Sequence, residues 1–366
     1  MPHRADAVVI GGGIAGVSIA HELAERVSVV LLEREDQLAQ HTTGRSAAAY
    51  LETYGPLPVR RLTIASRVFL EQFLSPRPLL WIGAAGRERT LAEAADSARS
   101  LVSSVQLIDL DAACELCPAL RPNLADAAVL EPDAMDIDVA ALHQRYVQDL
   151  RSRGGEIRRA SPVIALDRTG DTWSITAGEE VYEAPIVVNA AGAWCDEIAA
   201  LAGARRIGLR PLRRTAFTCP SPSGVDVRSW PLVSDIDEGF YFKPEGPQLL
   251  CSLADETLSP ACDAVPEPLD VALALERINA ATTLDLRHVR RAWAGLRSFV
   301  ADRSPVVGFD DEVPGFFWLA GQGGYGIQTA PALARAAAGL ALEGALPLAL
   351  VEHGISAGDL APARCR

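Results

Sequence analysis

At 366 residues the chain is long enough for one large or two intertwined domains, and 49% apolar, 22% charged and 6% aromatic residues is the balance of a soluble enzyme. A net charge of −13 argues against nucleic acid or an anionic membrane surface as a partner. No run reads as a targeting or membrane-spanning segment, because His21, Glu22, Glu25 and Arg26 interrupt the first apolar stretch, so a cytoplasmic location is expected.

Residues 5–33 read as strand, glycine turn, helix and strand. An apolar run at 7–10 enters Gly11-Gly12-Gly13-Ile14-Ala15-Gly16, a helix-like stretch continues to about 26, and a second apolar run at 27–32 ends on Glu33. In such a unit Gly11 permits the tight turn, Gly13 lets backbone N–H groups approach a pyrophosphate, and Gly16 lets helix and strand pack closely. Glu33, 22 positions after Gly11, is placed to accept hydrogen bonds from a ribose. The complete context separates this turn from an ordinary helix start. A second candidate phosphate or flavin contact follows at Gly44, in the polar stretch 40–46, ahead of alanines 47–49 that read as the start of a helix.

Helical periodicity runs through 57–74, a strand-like run through 79–82, and the charged, alanine-rich stretch 88–120 reads mostly as surface helix. Cys114 and Cys117 form a lone CxxC without the second pair or histidines of a zinc site. Four acids crowd 131–138 without calcium-loop spacing, and Asp138 reads as the N-cap of a helix ending at Gly154-Gly155. No metal is expected. A strand-like run covers 156–165, a hairpin pattern 167–182, and a buried strand at 184–189 empties into Gly192. Strand-like runs at 209–217, 239–243 and 248–252 precede a helix at 269–282 and the segment 288–300, which carries Arg297. A last strand at 316–320 opens through Gly321-Gln322-Gly323-Gly324-Tyr325-Gly326 into a long helix. That glycine run repeats GxGxxG, but no strand precedes Glu343, so it reads as a donor of N–H groups to the first site rather than a second one. The expected fold is α/β: residues 1–76, 136–205 and 301–366 form a discontinuous Rossmann-like nucleotide domain, and 77–135 with 206–300 form a second, mostly antiparallel (α+β) substrate domain.

The opening turn together with HTTGRSAAAY at 41–50, NAAGAWCD at 189–196, WAGLRSFVAD at 293–302 and GQGGYGIQT at 321–329 resembles the flavin-dependent D-amino-acid dehydrogenase, glycine oxidase and sarcosine oxidase family, with D-arginine-specific members most similar. The resemblance covers nearly the whole chain and implies FAD in the first domain, with oxidation of an amino-acid C–N bond. The implied cofactor contacts are Gly11, Gly13, Ile14, Ala15, Gly16, Glu33, Arg34, Thr43, Gly44, Arg45, Ser46, Ala47 and Val163 in the first part of the chain. Later contacts are Ala191, Gly192, Trp194, Gly321, Gly323, Gly324, Tyr325, Gly326, Ile327 and Gln328. By position Arg297 would clamp the substrate carboxylate, Tyr241 would add a hydrogen bond, Arg214 further positive charge, Tyr54 a lid residue, and the Gly324 carbonyl an acceptor for the amine.

An arginine fork suits a carboxylate in an apolar pocket. Alternatives stand beside each role: a structural ion pair for Arg297, a sheet-core aromatic for Tyr241, surface charge for Arg214. Two positions depart from the D-arginine-specific pattern, since Leu79 replaces a glutamate and Ala49 a histidine. A pocket so altered is expected to take an apolar D-amino acid or an N-substituted glycine. The competing readings are a basic D-amino-acid dehydrogenase, an NAD(P)H-dependent flavoprotein hydroxylase and a non-catalytic nucleotide-binding protein. Cys195, inside NAAGAWCD, reads as packed in its helix and no other cysteine falls within a matched motif, so non-covalent FAD is expected.

Overall fold

The computed structural model describes residues 2–365. A six-stranded sheet runs in the order Glu156–Arg158, Val29–Leu32, Ala7–Ile10, Ile186–Asn189, Phe316–Ala320 and Val306–Phe309; all neighbours are parallel except the last pair. Ala7–Ile10 is a continuous apolar run because both of its faces are covered. Ala7 and Val9 pack with the helices Ile14–Leu23, Val139–Ser152 and Gly326–Glu343. Val8 and Ile10 pack with Trp173, Ile175 and Tyr182 of a small four-stranded sheet on the opposite side.

The largest sheet has nine strands, all between residues 79–131 and 210–299. Its long strand Arg210–Pro220 pairs antiparallel with Arg291–Phe299 along nine residues and also with Gln248–Ser252. Towards its other edge, Leu232–Asp235 lies parallel to Leu79–Ile82, which pairs antiparallel with Ala127–Glu131. Pro268–Ala281 covers one part of this sheet through Ala274 and Ile278, and Glu88–Arg99 covers another through Leu91, Ala95 and Ala98.

One local expectation fails and another needs an addition. Alanines 47–49 do not begin a helix: the Ala48 carbonyl accepts from the Ile137 N–H at 3.1 Å and Ala49–Tyr50 pairs with Met135–Ile137. Here sheet pairing outweighs alanine's helix preference. The stretch 88–120 is mostly helical as expected, in Glu88–Arg99 and Leu110–Leu116, but between the two Gln106–Asp109 is an unexpected edge strand on Ala127–Glu131. Its residues are mostly exposed, so it carries no buried-face alternation to set it apart from the alanine-rich helices on both sides. The Asp138 N-cap is present, its carboxylate accepting from Ala141 N–H at 2.9 Å. In the acid-rich stretch before it, Asp136 is paired with Arg77 and Lys243 at 2.9 and 2.6 Å.

Candidate functional site

Three connected cavities lie along the carboxyl ends of the parallel strands and across to the large sheet. The first is lined by Gly11, Gly13, Glu33, Arg34, Val163, Ala191, Gly192 and Trp194. The second shares Gly13, Thr43 and Gly192 with it and continues past Ile14, Ala15, Ser46 and Ala47 to Gly323, Gly324, Gly326 and Ile327. The third shares Ser46, Ala47, Arg214, Tyr241, Arg297 and Gly324 with the second, and ends on Ala49, Leu51, Tyr54, Leu79 and Leu232.

The first cavity is built by backbone geometry. A Cβ on Gly16 would lie 1.8 Å from the Gly11 carbonyl oxygen, so only glycine lets the helix start this close to the strand. The buried Glu33 carboxylate accepts from the Gly12 N–H at 2.6 Å and the Glu35 N–H at 2.9 Å. Each oxygen keeps a further lone pair for a ligand. On the opposite side of the loop, buried His143 donates through Nε2 to the Gly12 carbonyl at 3.0 Å, and burial holds its pKa below the ordinary histidine range. Thr43 Oγ1 accepts from the Ile14 N–H at 3.0 Å, and the Arg34 guanidinium lies 4.7 Å from the centre of the Trp194 ring.

Several expected cofactor contacts are placed elsewhere. Gly44 packs on Ala39, donating its N–H to that carbonyl at 3.0 Å, and Gly321 faces Ser304, Val300 and Val306. Tyr325 is buried between Tyr54 and Phe299, both edge-on to it, and lines a different chamber. Gln328 does line the third cavity, but its amide is engaged as a buried clamp, donating to Leu51 O and Thr63 Oγ1 and accepting from Leu51 N–H. The Arg45 guanidinium turns away to Asp263 and to the Ala264 and Ala294 carbonyls, leaving its backbone at the cavity.

At the third cavity, the alternation of strand Arg291–Phe299 places Gly295 and Arg297 towards the cavities while Ala294 and Leu296 are buried in the opposite direction. Arg297 has no hydrogen-bond or ion-pair partner among the described residues. Burial opposes its charge, but Tyr241, Tyr54 and Glu256 outweigh that and raise its pKa. A Cβ on Gly324 would stand 2.8 Å from Arg297 Nη1, so the guanidinium lies against bare backbone. Arg214 is buried beside it and is held by Asp255 O at 2.7 Å and Glu256 at 3.3 Å; burial, then Arg297, lower its pKa. Its chain neighbour Arg213 points the other way, to Glu267 and Asp270. Glu256 also receives both terminal nitrogens of Arg303. Leu51, Leu79, Ala134 and Leu232 form an apolar wall, with Ala49, Tyr54, Trp81 and Tyr241 packed on it.

The cradle fits a dinucleotide whose ring system reaches the large sheet: glycines leave the space, a helix N-terminus faces the middle of the cavity, and a carboxylate waits at its far end. The sequence profile of the family described as FAD dependent oxidoreductase matches residues 6–340. The chain belongs to that family. Its cofactor is therefore FAD, and none of the seven cysteines lines the three cavities. The chain is similar to FAD-dependent oxidoreductase domain-containing protein 1 of Bos taurus, at 26% identity over 94% of this chain and 82% of that protein. Among solved structures it superposes on L-proline dehydrogenase from P. horikoshii with a TM-score of 0.85, at 22% identity over 100% of this chain and 98% of that one. Glycine oxidase from Geobacillus kaustophilus gives 0.81, at 21% identity over 93% and 95%. These likenesses show the fold: a FAD-binding parallel sheet beside a mostly antiparallel substrate sheet. Among the described residues no helix is long and apolar enough to cross a membrane.

Sequence reasoning missed His143, Glu131, Trp81 and the Glu256–Arg303 pair. Trp81 carried a usable signal, standing two positions after Leu79 on one strand and hence on one face. The others act through partners distant in the chain.

Proposed function

We propose that this oxidoreductase oxidises the C–N bond of an amino acid, and that the substrate is an apolar D-amino acid or an N-substituted glycine. The observation that carries the reading is Arg297, a guanidinium in an apolar-walled cavity with no partner among the described residues. A half-buried charge left unpaired against apolar walls is costly, and a carboxylate ligand relieves that cost with two parallel hydrogen bonds. Arg214 adds positive potential but is already engaged by Glu256, so the free fork belongs to Arg297.

Bound FAD supplies the hydride acceptor. With the carboxylate on Arg297, the Gly324 carbonyl would accept from the substrate amine and Tyr241 would donate to the carboxylate. Together they fix the α-carbon in one orientation, which is where the rate advantage of a bound geometry lies. Hydride leaves carbon, the amine loses a proton, and water hydrolyses the resulting imine to an oxo acid and an amine. Leu51, Leu79 and Leu232 place no carboxylate in this wall, which weighs against D-arginine; the carboxylate lining the cavity, Glu238, stands at its junction with the outer chamber. The neighbouring glycine oxidase fold is named for an amino-acid reaction, in keeping with this reading.

The test is anaerobic bleaching of the flavin by a panel of D-amino acids and N-substituted glycines. Apolar D-amino acids or N-alkylglycines should bleach it. Arg297→Ala should keep FAD and lose at least a hundred-fold in kcat/KM, the scale of a lost charge-assisted contact. Bleaching by NAD(P)H alone, or an unaffected Arg297→Ala enzyme, would overturn the proposal.

A further inference from the structure

A fourth cavity lies beyond the substrate cavity and shares Tyr54, Trp81 and Glu238 with it. It is the roomier of the two, about 1370 Å³ against about 730 Å³ when the space open to solvent at each mouth is included. The two are continuous along one face of the large sheet. Leu79 pairs with Glu131 and Trp81 with Val129 across neighbouring antiparallel strands, so all four side chains lie on the same face. Leu79 walls the inner cavity, Trp81 walls both, and Val129 and Glu131 wall the outer chamber.

The chamber has two unlike sides. Trp81, Val105, Val129 and Ile236 make an apolar one, closed by Ala94 and Ala98 of helix Glu88–Arg99. Beside them on the polar side stand Arg60, whose Nε donates to Gly55 O at 2.7 Å, and the carboxylate of Glu131, which is 2% exposed and accepts from the Glu52 N–H at 3.1 Å and from the Thr53 hydroxyl. At the junction, Glu238 holds a left-handed backbone, φ +54°, on the turn between Leu232–Asp235 and Tyr241–Glu245. For a non-glycine residue that conformation is uncommon, and such strain concentrates at ligand-facing positions. A plain solvent entrance would need neither a helix across it nor buried polar groups in its wall.

We propose that this outer chamber is a subsite for the distal part of the substrate. It takes an amino-acid core whose substituent is an apolar stem ending in a ring-sized group, with one face against Trp81 and a hydrogen-bonding edge towards Arg60 and Glu131. The inference rests on the amino-acid oxidation proposed above. The stem passes Leu79 and Tyr54, and the ring lies on the apolar side.

The test compares N-methylglycine with N-(4-phenylbutyl)glycine, and D-alanine with D-2-amino-6-phenylhexanoate, by anaerobic flavin reduction in the FAD-loaded enzyme. In at least one pair the long member should exceed the short one at least ten-fold in kcat/KM. Ser97 lies exposed on the helix and lines the chamber, so Ser97→Trp fills the space without disturbing the core. That variant should lose the preference through a raised KM for the long substrate while the short one is unaffected. A chamber that serves only as an entrance would slow both members alike or neither, and either result overturns the inference. Preference for the short member in both wild-type pairs overturns it without the variant and leaves amino-acid oxidation standing. If no amino acid in either pair reduces the flavin, the proposed function falls as well.

Discussion

Gly324 and Arg297 occupy one volume that a methyl group would divide. A Cβ at 324 would stand 2.8 Å from the guanidinium, so Gly324→Ala must push Arg297 off its position or move the glycine loop. A displacement of about an ångström in a positioning group can cost on the order of a hundred-fold. Gly324→Ala is therefore expected to keep FAD but lower kcat/KM by ten-fold or more, read by steady-state kinetics beside the flavin spectrum; normal kinetics would show that the loop yields. Glu131 raises a different question, because burial pushes its carboxyl up to about 7. Folded protein then holds a proton that the unfolded chain, at an ordinary value of 4.5, has released. Stability is lost as pH rises between these two values, and the whole loss persists above the upper one. At about 1.4 kcal/mol per pKa unit the loss is on the order of 3 kcal/mol. Glu131→Gln removes it, so the stability of the variant relative to wild type should grow by that order between pH 4.5 and pH 8. Urea midpoints at the two pH values measure this, and a constant difference would refute it. Contributions of Glu22 and His21, pushed by burial to about 7 and about 4, are common to both proteins and cancel.

The helix Val139–Ser152 does more than cover the parallel sheet. In a trans peptide the carbonyl and the following N–H point in opposite directions. With the Gly12 carbonyl held by His143 at 3.0 Å and by Ala39 N–H at 3.2 Å, the Gly13 N–H is turned the opposite way. Gly13 lines the first and second cavities, so the helix helps orient a backbone N–H there from outside the glycine motif. His143→Leu should weaken FAD binding at least ten-fold, and His143→Gln, which keeps a donor, should recover most of it. Titration of deflavinated protein with FAD, followed by flavin fluorescence, gives both constants; equal loss in the two variants would mean that only packing matters. This helix also marks the limit of what the sequence makes legible. Asp138 and Gly154 announce its ends, because caps are local chemistry, and the strand, glycine turn and helix of residues 7–23 are legible for the same reason. What His143 touches lies 131 residues away, and no local pattern records it. Likewise the alanines at 47–49 look helical until residues 135–137 pair with them. Arg297 stands out as a charge among apolar neighbours, whereas the outer chamber exists only once strands 79–82 and 127–131 are aligned.

At the scale of the whole molecule, the middle cavity lies between two sheets that share no strand. The middle cavity draws Gly13, Ile14 and Ala15 from the parallel side and Gly295, Leu296 and Arg297 from the antiparallel side. A ligand that binds only the folded, assembled state adds stability by mass action, about 2.7 kcal/mol at a hundred times its dissociation constant. The two sides are also stitched directly. Thr42 Oγ1 donates to the Leu296 carbonyl at 2.7 Å, Arg45 to the Ala294 and Ala264 carbonyls at 2.9 Å, and Trp293 Nε1 to the Arg45 carbonyl at 2.9 Å. This stitching runs along the cofactor cavity without its side-chain donors pointing into it, and it bears on time rather than tightness. A prosthetic group behind such a seam departs when the seam opens, however strong its own contacts. Cutting the seam with Arg45→Ala should shorten the residence of FAD, seen as faster loss of flavin during dilution or dialysis, with a smaller change in equilibrium affinity because reloading quickens too. Unchanged residence would mean that the gate lies elsewhere. For an enzyme that reduces and reoxidises the same flavin through many turnovers, a slow gate of this kind sets how many cycles one cofactor serves before it is lost.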